Sequence, residues 1–453
     1  MLEIIILAAG RGTRMRSSTP KVLHALAGEP LLGHVLRAAR NLRPDNIHIV
    51  VGCGADEVER AVAAEDVMFH IQTEQLGTGH AVAQALPHCH PDSQVLVLFG
   101  DVPLIQSESL AQLIQGAADG LGLLAINLDD PKGYGRIVRD AAGDFAEIVE
   151  DRDCTDTQKQ LTEVNTGILV GPAERLSTLL AQVGNDNAQG EFYLPDILRI
   201  AVGQGDAVTL VTLEDTEQMM GVNDLSQLET LERVFQQRAA ESLMQQGVAI
   251  VDRSRIDIRG TLKCGAGVRI DVNAVFEGDV TLADGVSVGA NCVIIDSIVG
   301  ANTTVQPFCH IEQARIGGDC RIGPYARLRP GSALADEVRV GNFVETKNSQ
   351  FGQGSKANHL AYVGDSEIGA GSNIGAGTIT CNYDGVNKHK TVLGEGVFVG
   401  SNSTLVAPVT LGDHAFVAAG SVVTNTVADN ELALGRARQR NVKGWQRPGK
   451  EKE

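Results

Sequence analysis

Long apolar runs, clustered cysteines and an excess of positive charge are all missing from this 453-residue chain. No apolar stretch approaches the ~20 residues that a membrane-spanning helix needs. The apolar run near the N-terminus is short and follows no basic segment, so no secretory leader is expected. The eight cysteines are scattered singly, without a C-x-x-C pair. That reads as reduced cytoplasmic thiols, with neither a disulfide frame nor a zinc site. Lys and Arg number 38 against 56 Asp and Glu, and the net charge of −18 argues against broad binding to nucleic acid or an anionic membrane. Any phosphate site must therefore be a local positive spot. Aromatic residues are scarce, at 4%. Glycine is abundant, but it does not recur every third residue and aliphatics are plentiful, so neither collagen nor disorder is indicated. The chain is too long for one core, and two or three domains are expected.

Residues 1 to about 225 alternate strand-like and helix-like text. IIILAA, NIHIVVG, VLVLFG and GILVG are runs of the kind buried on both faces of a parallel sheet. Helical patterns such as LLGHVLRAARNL and the stretch after Ser107 lie between them, giving an α/β domain with a mainly parallel sheet. Ligands sit beyond the carboxyl ends of such strands, which makes Gly10, Asp101 and the segment around Asn165 candidates by position. Residues 226–246 predict one long linking helix, with Ser226 and Glu229 as its capping box. Residues 247–453 then carry a period of six. Ile270, Phe276, Leu282, Val288 and Ile294 are six apart; so are Ile316, Ile322, Leu328, Leu334 and Val340; so is the series from Leu393 to Val423. The phase slips by one residue between these sets. One inward aliphatic in every six, often followed by glycine, is the signature of a hexapeptide β-helix, and explains the glycine surplus. CNYDGVNKHKTV, residues 381 to 392, interrupts the repeat as a polar excursion where function is expected.

The first strand runs into LAAGRGTRMRSSTPKVL. Met15 stands where G-x-G-x-x-G needs its third glycine, and no Walker A pattern is present. Yet Arg11, Arg14 and Lys21 supply the cations that a polyphosphate requires. L-A-A-G-R-G-T-R-M…P-K resembles the signature of sugar-1-phosphate nucleotidyltransferases. Further motifs follow in the same order: QLGTGHA (75–81), FGDVPL (99–104), GYGRI (133–137), IVED (148–151), NTGI (165–168), NAQGEFYLPD (187–196) and GVND (221–224). The second half adds RLRPG (327–331), GNFVETK (341–347), NHLAYVGD (358–365), NIGAGTITCNYDG (373–385) and VGSN (399–402). Along nearly its whole length the chain resembles the bacterial bifunctional N-acetylglucosamine-1-phosphate uridyltransferase and glucosamine-1-phosphate N-acetyltransferase family.

That resemblance implies a Rossmann-like nucleotidyltransferase domain (1–225), the linking helix (226–246) and a left-handed parallel β-helix with a C-terminal tail (247–453). In the first domain UTP and N-acetylglucosamine 1-phosphate would give UDP-N-acetylglucosamine and pyrophosphate. Arg14 and Lys21 would steady the phosphates, and Asp101 and Asn223 would hold Mg²⁺. Asn223 also precedes the linking helix, where Asn commonly caps. Leu7, Ala8, Ala9, Gly10, Gln72, Gly77 and Thr78 would contact the nucleotide sugar, as would Phe99, Gly100, Gly135, Glu150 and Asn165.

In the second domain the resemblance implies acetyl transfer from acetyl-CoA to glucosamine 1-phosphate. The attacking amine must be neutral, and a histidine titrates in the right range to take its proton. His359 matches the family's base, and Glu345 could orient it. Arg329 and Lys347 match residues holding the sugar phosphate, with Tyr362 and Asn373 nearby. Asn382 and Tyr383, in the excursion, would position substrate and cofactor, and Ala376, Ser401, Ala419 and Arg436 match acetyl-CoA contacts. The coil count places Arg329 and Lys347 on one prism face and His359 elsewhere, which points to a site shared between subunits and agrees with the family's homotrimer. The basic tail RARQRNVKGWQRPGKEK either closes over the CoA phosphates or is a disordered end. The family's product feeds peptidoglycan and lipopolysaccharide synthesis. The alternative is a single-activity sugar-1-phosphate nucleotidyltransferase whose β-helix only oligomerises or regulates.

Overall fold

The computed structural model describes residues 1–449, except Arg11, Asp119, Ala188 and Gln189. The chain divides into two compact units, Met1–Phe235 and Gln236–Glu453.

Seven strands build the sheet of the first unit: β1 (Leu2–Ala8), β2 (Asn46–Val51), β3 (Val67–Ile71), β4 (Gln94–Phe99), β5 (Leu121–Asn127), β6 (Glu163–Pro172) and β7 (Val208–Leu213). Their order is β7-β5-β6-β4-β1-β2-β3, with a side hairpin, Arg136–Arg139 and Phe145–Val149, leaving β6. The helices are α1 (Leu31–Asn41), α2 (Ala55–Val62), α3 (Thr78–Ala85), α4 (Ser107–Gly116), α5 (Ala173–Leu180), α6 (Asp196–Gly203) and α7 (Leu225–Gln245). Apolar clusters cover both sheet faces: Ile4, Ile6, Ile47 and Ile49 on one, Ile5, Leu7, Val50 and Val97 on the other. This two-sided burial is why the strands read as unbroken aliphatic runs.

GILVG behaves otherwise than expected. It lies in β6, which runs antiparallel to both β4 and β5. A strand buried on both faces reads alike in either direction, so hydropathy alone did not distinguish the two. The reversal has a consequence: Asn165, near the start of β6, comes to the same edge as the carboxyl ends of the parallel strands.

Helix α7 starts at Leu225. Its cap is Asp224, whose Oδ1 accepts the Gln227 N–H at 2.9 Å, while Gln227 Oε1 accepts the Asn223 N–H at 2.7 Å. The expected box at Ser226 and Glu229 is therefore displaced two residues towards the N-terminus, because Asp224 is an equally good cap and comes first.

In the second unit, short parallel strands stack into a three-sided prism, each pairing with strands one coil away. Every six-residue aliphatic named above is buried within it. The phase slips are coils of unequal length: Ile294 stacks on Ile311, a coil of 17 residues, and Val399 on Val417, a coil of 18. The excursion is a polar hairpin. Tyr383 bridges Lys388, and Asp384 Oδ1 accepts the N–H groups of Val386 and Asn387.

Candidate active sites

Parallel strand β1 pairs with β4 so that Leu7 faces Phe99, and Gly100 N–H donates to Leu7 C=O at 2.9 Å. Two strand ends thus open side by side, at the point where the chain order turns from one half of the sheet to the other. A cavity of about 500 Å³ fills this crevice. Leu7, Ala8, Ala9, Gly10, Lys21, Gln72, Gly77, Thr78, Phe99 and Asp101 line it, together with Val22, Gln75, Ala81 and Glu191. The last four are not among the sequence candidates, although all of them fall within quoted stretches.

The loop after β1 is fixed by the residue that broke the glycine pattern. Met15 is buried among Leu26, Leu31, Leu104 and Val222, anchoring a short turn, Thr13–Met15. That turn aims Arg14 at Asn223, whose Oδ1 accepts from the guanidinium at 2.9 Å. Arg11 lies outside the described residues. The Lys21 ammonium pairs with the Asp101 carboxylate and lies 3.5 Å from Asn223 Oδ1. Asp101 and Asn223 are neighbours because Val222 N–H donates to Asp101 C=O at 3.1 Å. Asp224 takes the capping role, which leaves the Asn223 side chain for the site.

Gly77 begins α3 at φ +109, and a Cβ there would fall 2.6 Å from the Phe192 carbonyl oxygen. Only glycine meets both conditions. Gly77 and Thr78, at the N-terminus of α3, line the cavity, while the Gly79 N–H is taken by the Phe192 C=O at 2.8 Å. Buried Gln72 donates to Gly77 C=O at 3.2 Å and holds this turn.

A second cleft lies beside the first unit's hairpin, lined by Gly133, Glu150, Asp153, Asn187 and Tyr193 among others. Gly135 belongs here: its C=O accepts from Asn165 N–H at 2.9 Å, and a Cβ on it would sit 3.1 Å from Glu150 Oε1. Burial raises the Glu150 carboxyl above its ordinary value, and Asp196, Asp153 and Asp151 push the same way. Gly135, Glu150 and Asn165 are thus brought together, at a distance from the phosphate loop in sequence.

On the prism, Arg327 pairs with Glu345 and Leu328 with Thr346, which sets Arg329 beside Lys347 on one face. Glu345 Oε1 accepts from the Arg329 guanidinium at 2.8 Å. Within one chain Glu345 therefore pairs with the arginine and not with His359. The partner of His359 is Asn342: Nδ1 to Oδ1 is 2.8 Å, and the two hold the same register position in adjacent coils. Glu345 lies three positions further along that strand, past the corner at Phe343, so it faces a different side. Lys388 is a residue missed from the sequence. Its amine, carried in by the hairpin, holds the Lys347 ammonium below its ordinary value. The Asp365 carboxylate faces both ammonium groups, so the patch carries one net positive charge. Asn382 donates to Asp365, tying the hairpin base to the coil below. Tyr362 packs over Gly364, where a Cβ would meet its hydroxyl at 2.4 Å, and Asn373 pairs with Lys356 in the next coil. Exposed Tyr383 donates to Gly385 C=O at 2.6 Å.

Ala376, Ser401 and Ala419 climb one edge of the prism in successive coils. Asn402 N–H donates to Ala376 C=O at 2.7 Å, and Gly420 N–H to Ser401 C=O at 2.8 Å. Arg436 reaches back to the same edge, donating to Ala419 C=O at 2.7 Å.

A nucleotide-sized crevice with a cationic loop at a sheet switch point, in a chain that continues as a hexapeptide prism, defines a two-domain transferase. Known proteins agree. A model of the MobA-like NTP transferase domain matches residues 4–151, a GMPPB C-terminal domain model matches 258–351, and a bacterial transferase hexapeptide model of six repeats matches 390–425. The bifunctional protein GlmU of Burkholderia vietnamiensis is 54% identical over 452 residues, covering 100% of both chains. That of Stutzerimonas stutzeri is 54% identical with 99% of each chain covered, and that of Cellvibrio japonicus is 52% identical over the same shares. The chain belongs to the family of the bifunctional protein GlmU.

Proposed function

We propose that the chain makes UDP-N-acetylglucosamine in two steps, on two sites. The residues 247–453 transfer acetyl from acetyl-CoA to glucosamine 1-phosphate. The residues 1–225 then join the product to UTP and release pyrophosphate, with 226–246 as the linking helix. The observation that carries this reading is the coexistence of two separate polar constellations, Arg14–Lys21–Asp101–Asn223 on the sheet and Arg329–Lys347–Lys388 on the prism, with His359 at a neighbouring corner. A prism that served only to oligomerise would need neither the histidine nor the cations.

At the first site Arg14 and Lys21 receive the triphosphate of UTP. Gly135, Glu150 and Asn165 hold the sugar, whose phosphate attacks the α-phosphorus in line. Positioning and charge neutralisation carry most of the rate. The Asp101 carboxylate and Asn223 amide oxygens are hard donors and already share one cation, the Lys21 ammonium. They fit Mg²⁺, which takes one or two protein oxygens and fills its shell with water and phosphate. When bound, Mg²⁺ would neutralise charge on the phosphates. Lys21 and Arg14 then turn from these oxygens to the substrate.

At the second site Arg329, Lys347 and Lys388 receive the sugar phosphate. The Asn342 contact puts the proton on His359 Nδ1, leaving Nε2 to take the proton of the attacking amine. Ala376, Ser401, Ala419 and Arg436 border the acetyl-CoA edge, with Asn382 and Tyr383 at the excursion. A homotrimer is proposed for two reasons. His359 stands at a corner apart from the face bearing Arg329 and Lys347. Beside it, Phe308, Tyr325 and Phe343 form an exposed stacked column, centroids 4.9 and 5.4 Å apart, that a neighbouring prism would cover. A cytoplasmic location is supported by eight unpaired cysteines. No helix among the described residues is long and apolar enough to cross a membrane.

The test is separability. Asp101→Ala is expected to cut uridylyl transfer by about 10²-fold or more and leave acetyl transfer within about twofold. His359→Ala is expected to cut acetyl transfer by about 10²–10⁴-fold and spare uridylyl transfer. Loss of both activities in either folded variant would sink the two-site reading.

A further inference from the structure

At the opposite edge of the same sheet, where β1 and β2 begin, lies a cluster that the two reactions do not use. Glu3, near the start of β1, is 1% exposed; His48, near the start of β2, is 0% exposed; Cys89, in the connection from α3 to β4, is 8% exposed. One ligand atom from each lies within 4.8 Å of the other two. His48 Nε2 is 3.0 Å from Glu3 Oε2. The other carboxylate oxygen, Oε1, accepts the His90 N–H at 3.0 Å, which fixes the plane of the carboxylate.

We propose that Glu3, His48 and Cys89 form a second cation site, selective for Zn²⁺ and distinct from the Mg²⁺ position at Asp101 and Asn223. The donor set decides the metal. Thiolate, imidazole and carboxylate together suit borderline-soft Zn²⁺, whereas Mg²⁺ asks for oxygen alone. Bonds of about 2.0–2.3 Å put tetrahedral ligands ~3.5 Å apart, so the triangle need contract by only about 1 Å. Charge also decides. Glu3 carboxylate and Cys89 thiolate bring two negative charges and His48 none, so a dication gives a neutral complex in a buried place.

The surroundings have the form of a metal site's outer shell. His48 Nδ1 lies 2.9 Å from His70 Nε2. In the metal-free cluster the His48 Nε2–H donates to the Glu3 carboxylate and Nδ1 accepts from His70; when a metal takes Nε2, the ring proton moves to Nδ1 and His70 Nε2 becomes its acceptor. His70 stacks on His88 with centroids 4.6 Å apart. From exposed His88 through half-buried His70 to buried His48, imidazoles make a route inward. Burial, and then Glu3, push the Cys89 thiol above its ordinary value, so it is a protonated donor until a metal displaces the proton. No zinc pattern shows in the sequence because the three ligands come singly from three elements.

The test uses full-length protein, freed of metal with a chelator and titrated with Co²⁺ and with Zn²⁺. One equivalent of Co²⁺ is expected to give a thiolate-to-cobalt charge-transfer band in the near ultraviolet, bleached by one equivalent of Zn²⁺. Mg²⁺ in excess should not compete. Cys89→Ser is expected to lose the band. His70→Leu is expected to keep the band but to weaken Zn²⁺ binding by about 10–100-fold, measured against a chromogenic chelator. Absence of the band in the wild-type protein, or its persistence in Cys89→Ser, would overturn the site and leave a closed hydrogen-bonded cluster. The wild-type measurement decides even if a variant fails to fold.

Discussion

His359 and Asn342 meet because they occupy one register position in neighbouring coils, 2.8 Å apart across the corner of the prism. This contact acts through the histidine, so its loss has a specific signature. Asn342→Leu is expected to lower kcat for acetyl transfer about tenfold to a hundredfold with KM for acetyl-CoA little changed. Asn342→Asp, which can still accept from Nδ1, is expected to retain most of the rate and to move the acidic limb of the kcat profile to higher pH, since the carboxylate favours the protonated, inactive imidazole. Equal losses in both variants, with no pH shift, would mean that Asn342 merely packs. Most of the residues that line the crevice at the sheet edge were named from the sequence, but the contacts made by the candidate residues were not. Glu345 reads as a plausible companion for His359, yet it pairs with Arg329 once the coil turns its corner. Asn223 reads as a helix cap, and only the fold reveals that Asp224 performs that task. Lys388 carries no signal until the hairpin folds it towards Lys347.

Elements were more legible than contacts. The six-residue period gave the prism and even its unequal coils, since a missing residue must shift every later aliphatic. Direction was the weakness: β6 is aliphatic like its neighbours and still runs the other way. At the far end of the sheet, burial pulls His70 on β3 down to about 4, with His48 and His88 adding to the effect, and burial lowers His48 too. The unfolded chain takes up these protons below about 6.5, whereas the folded chain refuses one at His70 until about 4. The stability contributed by the neutral ring is therefore full above 6.5 and is lost as pH falls towards 4. With a chelator present, Tm of the wild type is expected to drop between pH 7 and 5 by more than that of His70→Asn. Parallel slopes for the two proteins would remove His70 from the account.

At the scale of the whole chain, the two units carry two chemistries that share one sugar phosphate. The product of the prism, N-acetylglucosamine 1-phosphate, is the substrate of the sheet site. Composition alone gave neither reaction; its net charge of −18 argued only against nucleic acid and anionic membrane as broad partners. It was the order of the motifs, and then the meeting of Arg14, Lys21, Asp101 and Asn223 from distant parts of the chain, that defined the first site. The loop that fails the glycine pattern at Met15 fails it because that position is an anchor in the core. The most direct measurement incubates the full-length protein with glucosamine 1-phosphate, acetyl-CoA, UTP and Mg²⁺ and follows free CoA, pyrophosphate and nucleotide sugar together. The account predicts all three, with UDP-N-acetylglucosamine as the sugar product, and near-complete loss of pyrophosphate release when acetyl-CoA is left out. Undiminished pyrophosphate release without acetyl-CoA, or no CoA release in the complete mixture, would contradict it.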